Sequence, residues 1–390
     1  MTIAGPNHEV CAGLDLARVP SPSFVVDLSR LRRNLIYLRE VRERAGCRIL
    51  LAQKGFSMWA TYPLISEYLD GTCSSGPWEA MLAREKFPGE HHVYSPAFTA
   101  EDMDEILPFA DHLSFNSVRQ WQTYLPRIKA AGRTIECALR VNPGVSTGSV
   151  EMYDPCAPGS RLGIPAEELE GVDLTGLDGL HFHALCEQNS DALEATLTGV
   201  EEKFGHLLRQ VKWLNMGGGH HITRADYDVE RLISLVRGIR ERYGIEVYLE
   251  PGEAVVLGTG VLVSSVIDTV RNGMDIGILD VSVTCHMPDC LEMPYRPDVR
   301  GAGREGEKPH LWRLGGGTCL AGDVIGDYSF EAPLQPGDRL IFEDMAHYTM
   351  VKTTMFNGVK HPALCTWDPE AGELKVVRRF DYTDFRDRLS

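Results

Sequence analysis

RILLAQK, residues 48–54, is a short apolar run that stops at a lysine. Seven runs of the same make follow it: GTCSS (71–75), HVYSP (92–96), HLSFN (112–116), ECALRVN (136–142), GLHFH (179–183), VKWLNMGGG (211–219) and IEVYLEPGE (245–253). Each is strand-sized, and each ends on a group able to do chemistry. Segments with helical periodicity lie between most of them. Strands alternating with helices imply parallel βα units, and eight in succession predict a (β/α)8 barrel. In such barrels the working groups gather at the carboxyl ends of the strands. Lys54, His183, Gly217 to Gly219 and Glu250 therefore fall on one rim, where together they suit a phosphorylated aldehyde.

Upstream, PSPSFVVDLSRLRRNLIYLREVRERAG (20–46) reads as a strand followed by an amphipathic helix, with Leu31, Leu35 and Leu38 at helical spacing. Further helices are expected at 58–69, 78–86, 100–107, 118–131, 191–209 and 225–243. Between Val145 and Asp178 the pattern breaks into Gly and Pro, which predicts a long rim loop carrying Arg161. After Pro251 helical periodicity fades and alternating runs take over: VLVSSVIDTVR, IGILDVSVT, HLWRLGG, RLIFEDM and LKVVRRF. These predict an all-β domain. The expected organisation is an N-terminal segment and strand over 1–30 associated with the β domain, a barrel over 31–260, and the β domain over 261–390.

The chain has 390 residues, room for a barrel and a second domain. No apolar stretch reaches the roughly 20 residues of a membrane span, and the N-terminus MTIAGPNHEVCAG lacks the features of a secretory signal. Ten cysteines are scattered through apolar segments, which suits reduced thiols and a cytoplasmic location. A net charge of −16 argues against nucleic acid or an anionic membrane as partner and is compatible with a cationic substrate.

Lys54 closes a run too apolar to be a solvated edge. A desolvated lysine is the neutral amine that an aldehyde can capture, although a lysine merely emerging from a strand has the same local sequence. Glu250 has a specific task if the aldehyde is pyridoxal phosphate, because an anionic carboxylate keeps the pyridine nitrogen protonated. Gly217, Gly218 and Gly219 follow the seventh run, a common phosphate position in this architecture. His181 and His183 share one face of their strand. His183, nearer the rim, is the candidate to stack on a ring, and His181 reads as a core residue. His220 with His221, and Cys285 and His286 with Cys290, lack the spacing of a zinc site, so no metal is expected. Cys319 is either a general acid or an inert thiol, and Tyr348 is either a phosphate donor or a core residue.

Taken in order, SFVVD, AQKGF, ALRVN, LHFH, MGGG, LEPGE, GGGTCLAGD and MAHYTMVKTTMFNG resemble the fold-type III pyridoxal-phosphate decarboxylases, which include the ornithine and diaminopimelate decarboxylases. The resemblance covers residues 20–390 and implies an alanine racemase-like architecture. LHFHALCEQ, CHMPDCLEMPYRP and CLAGD are most similar to the branch that decarboxylates carboxynorspermidine or carboxyspermidine to norspermidine or spermidine. The resemblance makes Lys54 the Schiff-base lysine, His183 the ring-stacking residue and Glu250 the pyridinium partner. It makes Gly217, Gly218, Gly219 and Tyr348 phosphate contacts, with Arg140 supporting the site. Cys319 becomes an acid contributed across a head-to-tail homodimer with shared active sites.

Three positions depart from the family pattern: Glu253 stands where relatives carry a phosphate-binding arginine, Cys186 where they carry a serine, and Leu320 where they carry an acidic residue. Recognition of a polyamine-type substrate is therefore expected from Glu253, Asp323, His286 and Asp289. The alternatives are a decarboxylase of the same fold acting on a diamino acid (diaminopimelate, arginine or ornithine), and a non-catalytic regulatory homologue.

Overall fold

A computed structural model describes residues 9–147 and 153–390. The start of the N-terminal segment, and residues 148–152 of the expected rim loop, lie outside the described residues. The chain divides into two compact units: Asn34–Val255, and the segment through Arg33 together with Val256–Ser390.

Strand β1 (Ser23–Asp27) belongs to the second unit. In the first unit, β2 (Arg48–Ala52), β3 (Gly71–Ser74), β4 (Glu90–Ser95), β5 (His112–Phe115), β6 (Glu136–Arg140), β7 (Gly179–His181), β8 (Trp213–Asn215) and β9 (Glu246–Leu249) pair in sequence order. All pairs are parallel, and β9 returns to β2 through Arg48↔Tyr248 and Ile49↔Leu249, which closes the barrel. All eight runs quoted above are barrel strands. Outer helices form where the apolar stripe and a cap coincide. Thr99 and Asp102 make a reciprocal capping box for Ala100–Ile106, and Asp228 caps Val229–Tyr243, which ends at the left-handed Gly244.

One expected helix is shorter than predicted. In place of 58–69 there is a single 3-10 turn, Trp59–Thr61, and then Tyr62–Ile65 with Pro63 in its first turn. Pro63 has no N–H to donate, which suits the first turn of a helix better than its interior. Downstream, the Asp70 carboxylate accepts the N–H of Ile49 at 2.9 Å and pairs with Arg42 at 3.0 Å, which draws the chain into β3.

Below the rim the barrel is filled by Leu50, Cys73, Ala138, Trp213 and Tyr248. His92 and His112, register partners on β4 and β5, stack with ring centroids 3.9 Å apart and planes 8° from parallel. His112 packs edge-on against Trp213 at 5.0 Å. The Glu90 carboxylate lies 3.1 Å from His92 Nε2 and bonds the Arg48 guanidinium, while Glu136 accepts the Trp213 indole N–H at 2.7 Å. Glu90, His92 and His112 bring three donor atoms within 4.8 Å of one another. In-plane lone pairs on parallel rings cannot meet at one ion, so this cluster is a packed floor in the form it takes here.

In the second unit the long β10 (Gly260–Asn272) pairs β1 and β14 (Arg339–Glu343) along its first half and β11 (Met274–Leu279) along its second. The sheet extends from β11 through β12 (His310–Gly315) to β13 (Val324–Phe330), and from β1 through β15 (Ala363–Asp368) to β16 (Glu373–Arg378). Two of these strands were not expected. VIGDYSF reads as a turn because of its central Gly-Asp, yet Asp327 is the register partner of Arg313, whose guanidinium grips it at 2.7 and 2.8 Å. ALCTWD is stabilised by parallel pairing with β1, a contact remote in sequence. All ten cysteines are free. Among the described residues no helix is long and apolar enough to cross a membrane.

The floor has a pH signature. Burial, reinforced by His92, Arg48 and Lys212, lowers the His112 pKa from 6.5 to about 2. An unfolded chain takes up that proton near pH 6.5 and the folded one does not, so acidification below 6.5 favours unfolding. Between pH 6.5 and about 4, the thermal midpoint of a His112→Gln variant should fall less steeply than that of the wild type. Equal slopes would show that the imidazole contributes nothing to acid sensitivity.

Candidate active site

Lys54 follows β2 at the barrel mouth. The turn after β2 runs beside the turn after β9, backbone against backbone: a Cβ on Gly55 would lie 3.0 Å from Gly252 Cα. The lysine side chain keeps accessible surface because it faces the open mouth. Protein nevertheless surrounds it deeply enough that burial lowers its pKa, and the Arg140 cation adds to the effect. Both act against the ammonium form.

Glu250 sits one residue beyond β9 and is buried. Burial alone pushes its carboxyl up, but the surrounding donors outweigh that and hold it below the usual carboxylate range. Asn215 Nδ2 donates to Oε1 at 2.5 Å. His181 Nε2 lies 3.5 Å from Oε2, and the Cys73 thiol, pushed well up by burial and by this neighbouring carboxylate, also donates. Burial depresses the His181 pKa despite the attraction of Glu250. His181 is thus the imidazole neighbour of the carboxylate, drawn toward protonation by Glu250 and away from it by burial.

His183 Nδ1 accepts the N–H of Gly218 at 2.9 Å, which leaves any ring proton on Nε2. Burial, with Lys54 and Arg140 as the next contributors, drives its pKa well below 6.5. Arg140 donates to the His183 carbonyl at 3.0 Å and stands over the Tyr94 ring at 4.6 Å. Gly217 has φ +68°, and a Cβ on Gly218 would meet the Glu250 carbonyl oxygen and approach His183 Cε1 to 3.4 Å. Only glycine allows this turn to press onto both neighbours.

The triplet's amides are divided. Gly217 donates to Asn215 Oδ1 at 2.8 Å and Gly218 to His183, so these two orient the site from within. Among the described residues no acceptor takes the Gly219 N–H. The expectation that all three amides face a phosphate is corrected accordingly.

Lys54, Arg140, His183, Gly217 to Gly219, Glu250 and Glu253 all lie in the barrel unit. Cys319, Asp323, His286, Asp289 and Tyr348 lie in the β unit. The four residues expected at substrate amines each have partners within the chain. Glu253 Oε2 lies 3.1 Å from His221 Nε2 and so is already paired. Asp323 is buried; one oxygen accepts from Ser282 Oγ and the Val283 N–H, and the other from the Thr318 N–H and hydroxyl. It ties two loops of its own domain together. Asp289 is held by Lys352 at 2.5 Å. His286 is fully buried, with Nδ1 accepting the Ser282 N–H at 3.2 Å.

Cys319 is exposed, and its backbone N–H is anchored by the Asn357 side chain at 2.9 Å. Tyr348, half-buried at φ +41°, has Lys352 Nζ 5.4 Å from its ring centre. Asn215, Cys73 and Glu79 escaped the sequence reading, and His181, read as a core residue, stands beside Glu250. Glu79 accepts the Ser75 N–H at 2.6 Å and its charge interacts with Lys54. For His181 the strand alternation was a usable signal, since it stands on the same face as His183.

An accessible amine of reduced basicity, an ionised carboxylate among donors, a neutral imidazole and a glycine turn fit an aldehyde-bearing pyridine with an anionic tail. Lys54 would bond the aldehyde, Glu250 would face the ring nitrogen, and the Gly219 amide offers a donor to the tail. A family model described as pyridoxal-dependent decarboxylase, C-terminal sheet domain, matches residues 24–346. The chain is 45% identical over 377 residues to the carboxyaminopropylagmatine decarboxylase of Synechocystis sp., covering 96% of both chains. It is 44% identical over 379 residues to the carboxynorspermidine/carboxyspermidine decarboxylase of Campylobacter jejuni, covering 94% of this chain and 98% of that one. The crystal structure of Campylobacter jejuni carboxynorspermidine decarboxylase complexed with norspermidine superposes with a TM-score of 0.88 at 42% identity, over 95% of this chain and 100% of that one. With matches that run through both units, the chain belongs to the pyridoxal-dependent decarboxylase family.

Proposed function

We propose that the protein removes the α-carboxyl group of carboxynorspermidine or carboxyspermidine, giving norspermidine or spermidine and carbon dioxide. The observation that carries the reaction type is the pairing at one barrel mouth of Lys54, an amine of depressed basicity, with Glu250, a buried ionised carboxylate. The named activity of the Campylobacter jejuni relative supports the substrate class. A second reading is favoured by an equally similar relative that acts on carboxyaminopropylagmatine. That substrate shares the carboxylated end and carries a guanidinium at the other, which demands a planar partner where an ammonium does not.

When bound, pyridoxal 5′-phosphate supplies an aldehyde for the substrate amine and a ring that accepts the electron pair left on the α-carbon. Lys54 provides the amine that holds the aldehyde between turnovers, and its lowered pKa keeps a neutral fraction available. Glu250 keeps the proton on the ring nitrogen. His183, fixed by Gly218, presents a neutral ring face that adds no positive charge beside the aldehyde. The bond from the α-carbon to the carboxylate breaks, carbon dioxide leaves, and a proton replaces it. Cys319 of the partner subunit delivers that proton in a homodimer with shared sites. Leu320, beside Cys319 and largely exposed, offers no charge to a short diamino acid.

Lys54→Ala should release no carbon dioxide above background and form no borohydride-trapped cofactor adduct, whereas the wild type forms one. Full activity of this variant would refute the reaction, and failure of the wild type to trap would favour a non-catalytic regulator. Cys319→Ala should keep the cofactor and lose rate. Mixing it with Lys54→Ala should recover about one quarter of wild-type activity, because half of all dimers are then heterodimers and each of these rebuilds one intact site in two; no recovery would refute shared sites. Carbon dioxide release compared across carboxynorspermidine, carboxyspermidine, carboxyaminopropylagmatine and diaminopimelate separates the readings. The first two should differ by at most about 1–3 kcal/mol in kcat/KM, since they differ by one methylene.

A further inference from the structure

Asn215 is the last residue of β8 and is 1% exposed. Its side chain has two partners of opposite demand. The Gly217 N–H can only donate, so the atom facing it at 2.8 Å is Oδ1; this turns Nδ2 onto Glu250 Oε1 at 2.5 Å. Glu250 completes the circuit, since its own N–H donates to the Gly217 carbonyl at 2.8 Å. Three residues at the ends of two adjacent strands thus form a closed ring of hydrogen bonds. On the pyridoxal reading, one member would face the ring nitrogen, and another opens the glycine turn that would meet the phosphate.

We propose that Asn215 is a positioning residue that locks the Glu250 carboxylate and the Gly217–Gly219 turn into one rigid unit, so that the cofactor's ring nitrogen and its phosphate are held in register. This rests on the pyridoxal reading above. The amide suits the task because it is neutral, donates and accepts at once, and does not titrate. An aspartate would keep the acceptor toward Gly217 but supply a donor to Glu250 only while protonated. Serine is too short to span both partners. His181 and Cys73 also neighbour Glu250, but neither has a bond to the turn among the described residues, so neither couples the two anchors.

The test uses the intact protein, freed of cofactor and titrated with pyridoxal phosphate labelled with nitrogen-15 in the ring. Asn215→Ala, which breaks both bonds, should raise the cofactor dissociation constant about tenfold or more. Asn215→Asp should bind nearly as the wild type at the acidic end of the stable range. As pH rises and the introduced carboxyl loses its proton, two carboxylates oppose each other, so affinity should fall and the nitrogen-15 shift should move. The wild type should show neither change over that range.

A purely structural role predicts lowered thermal midpoints with an unchanged shift and no new titration; that result would overturn the proposal. Wild-type affinity in Asn215→Ala would overturn it too. Should Asn215→Ala fail to fold, the isosteric Asn215→Asp decides alone. A wild type that binds no pyridoxal phosphate would defeat the cofactor reading instead, an outcome distinct from all of these.

Discussion

A carboxylate stays ionised inside a protein only when donors replace the water it has lost. The site is organised around meeting that requirement for Glu250. Donors arrive from β3 (Cys73) and β8 (Asn215), an imidazole from β7 (His181) stands 3.5 Å away, and the charge itself follows β9. No short segment could gather these groups. A closed parallel barrel does so because strands far apart in sequence end at the same height, so each residue there meets side chains from several strands.

Lys54 and His183 occupy the other electrostatic extreme. Both lose basicity through burial, and Arg140 pushes each further. One rim therefore holds a committed anion and two groups of reduced basicity. That separation suits chemistry in which an amine must be nucleophilic at neutral pH while a ring nitrogen stays protonated. The backbone carries part of the design, since the glycine turns after β2, β8 and β9 let main chain approach main chain and leave side-chain space for the mouth.

Much of this was legible in the residues. Runs such as RILLAQK and LHFH carry their strand character in their own pattern, and the residue at the end of each run announces the rim. Contacts formed across strands were not legible. Nothing in WLNMGGG tells that the asparagine answers to a glutamate 35 residues later, and nothing in GTCSS marks Cys73 as its second donor. Local signals also misled where tertiary pairing overrode them. The Gly-Asp within VIGDYSF has turn chemistry but lies in a strand held by Arg313. Asp323, in a Gly-rich stretch, looked available and is saturated by its own loops. Pro63 was a readable stop passed over in favour of the apolar pattern around it.

The stacked imidazoles and the indole beneath the rim carry a consequence for traffic. Among the described residues they fill the barrel interior beneath Lys54, so a molecule that meets this amine comes from the carboxyl ends of the strands and leaves toward them.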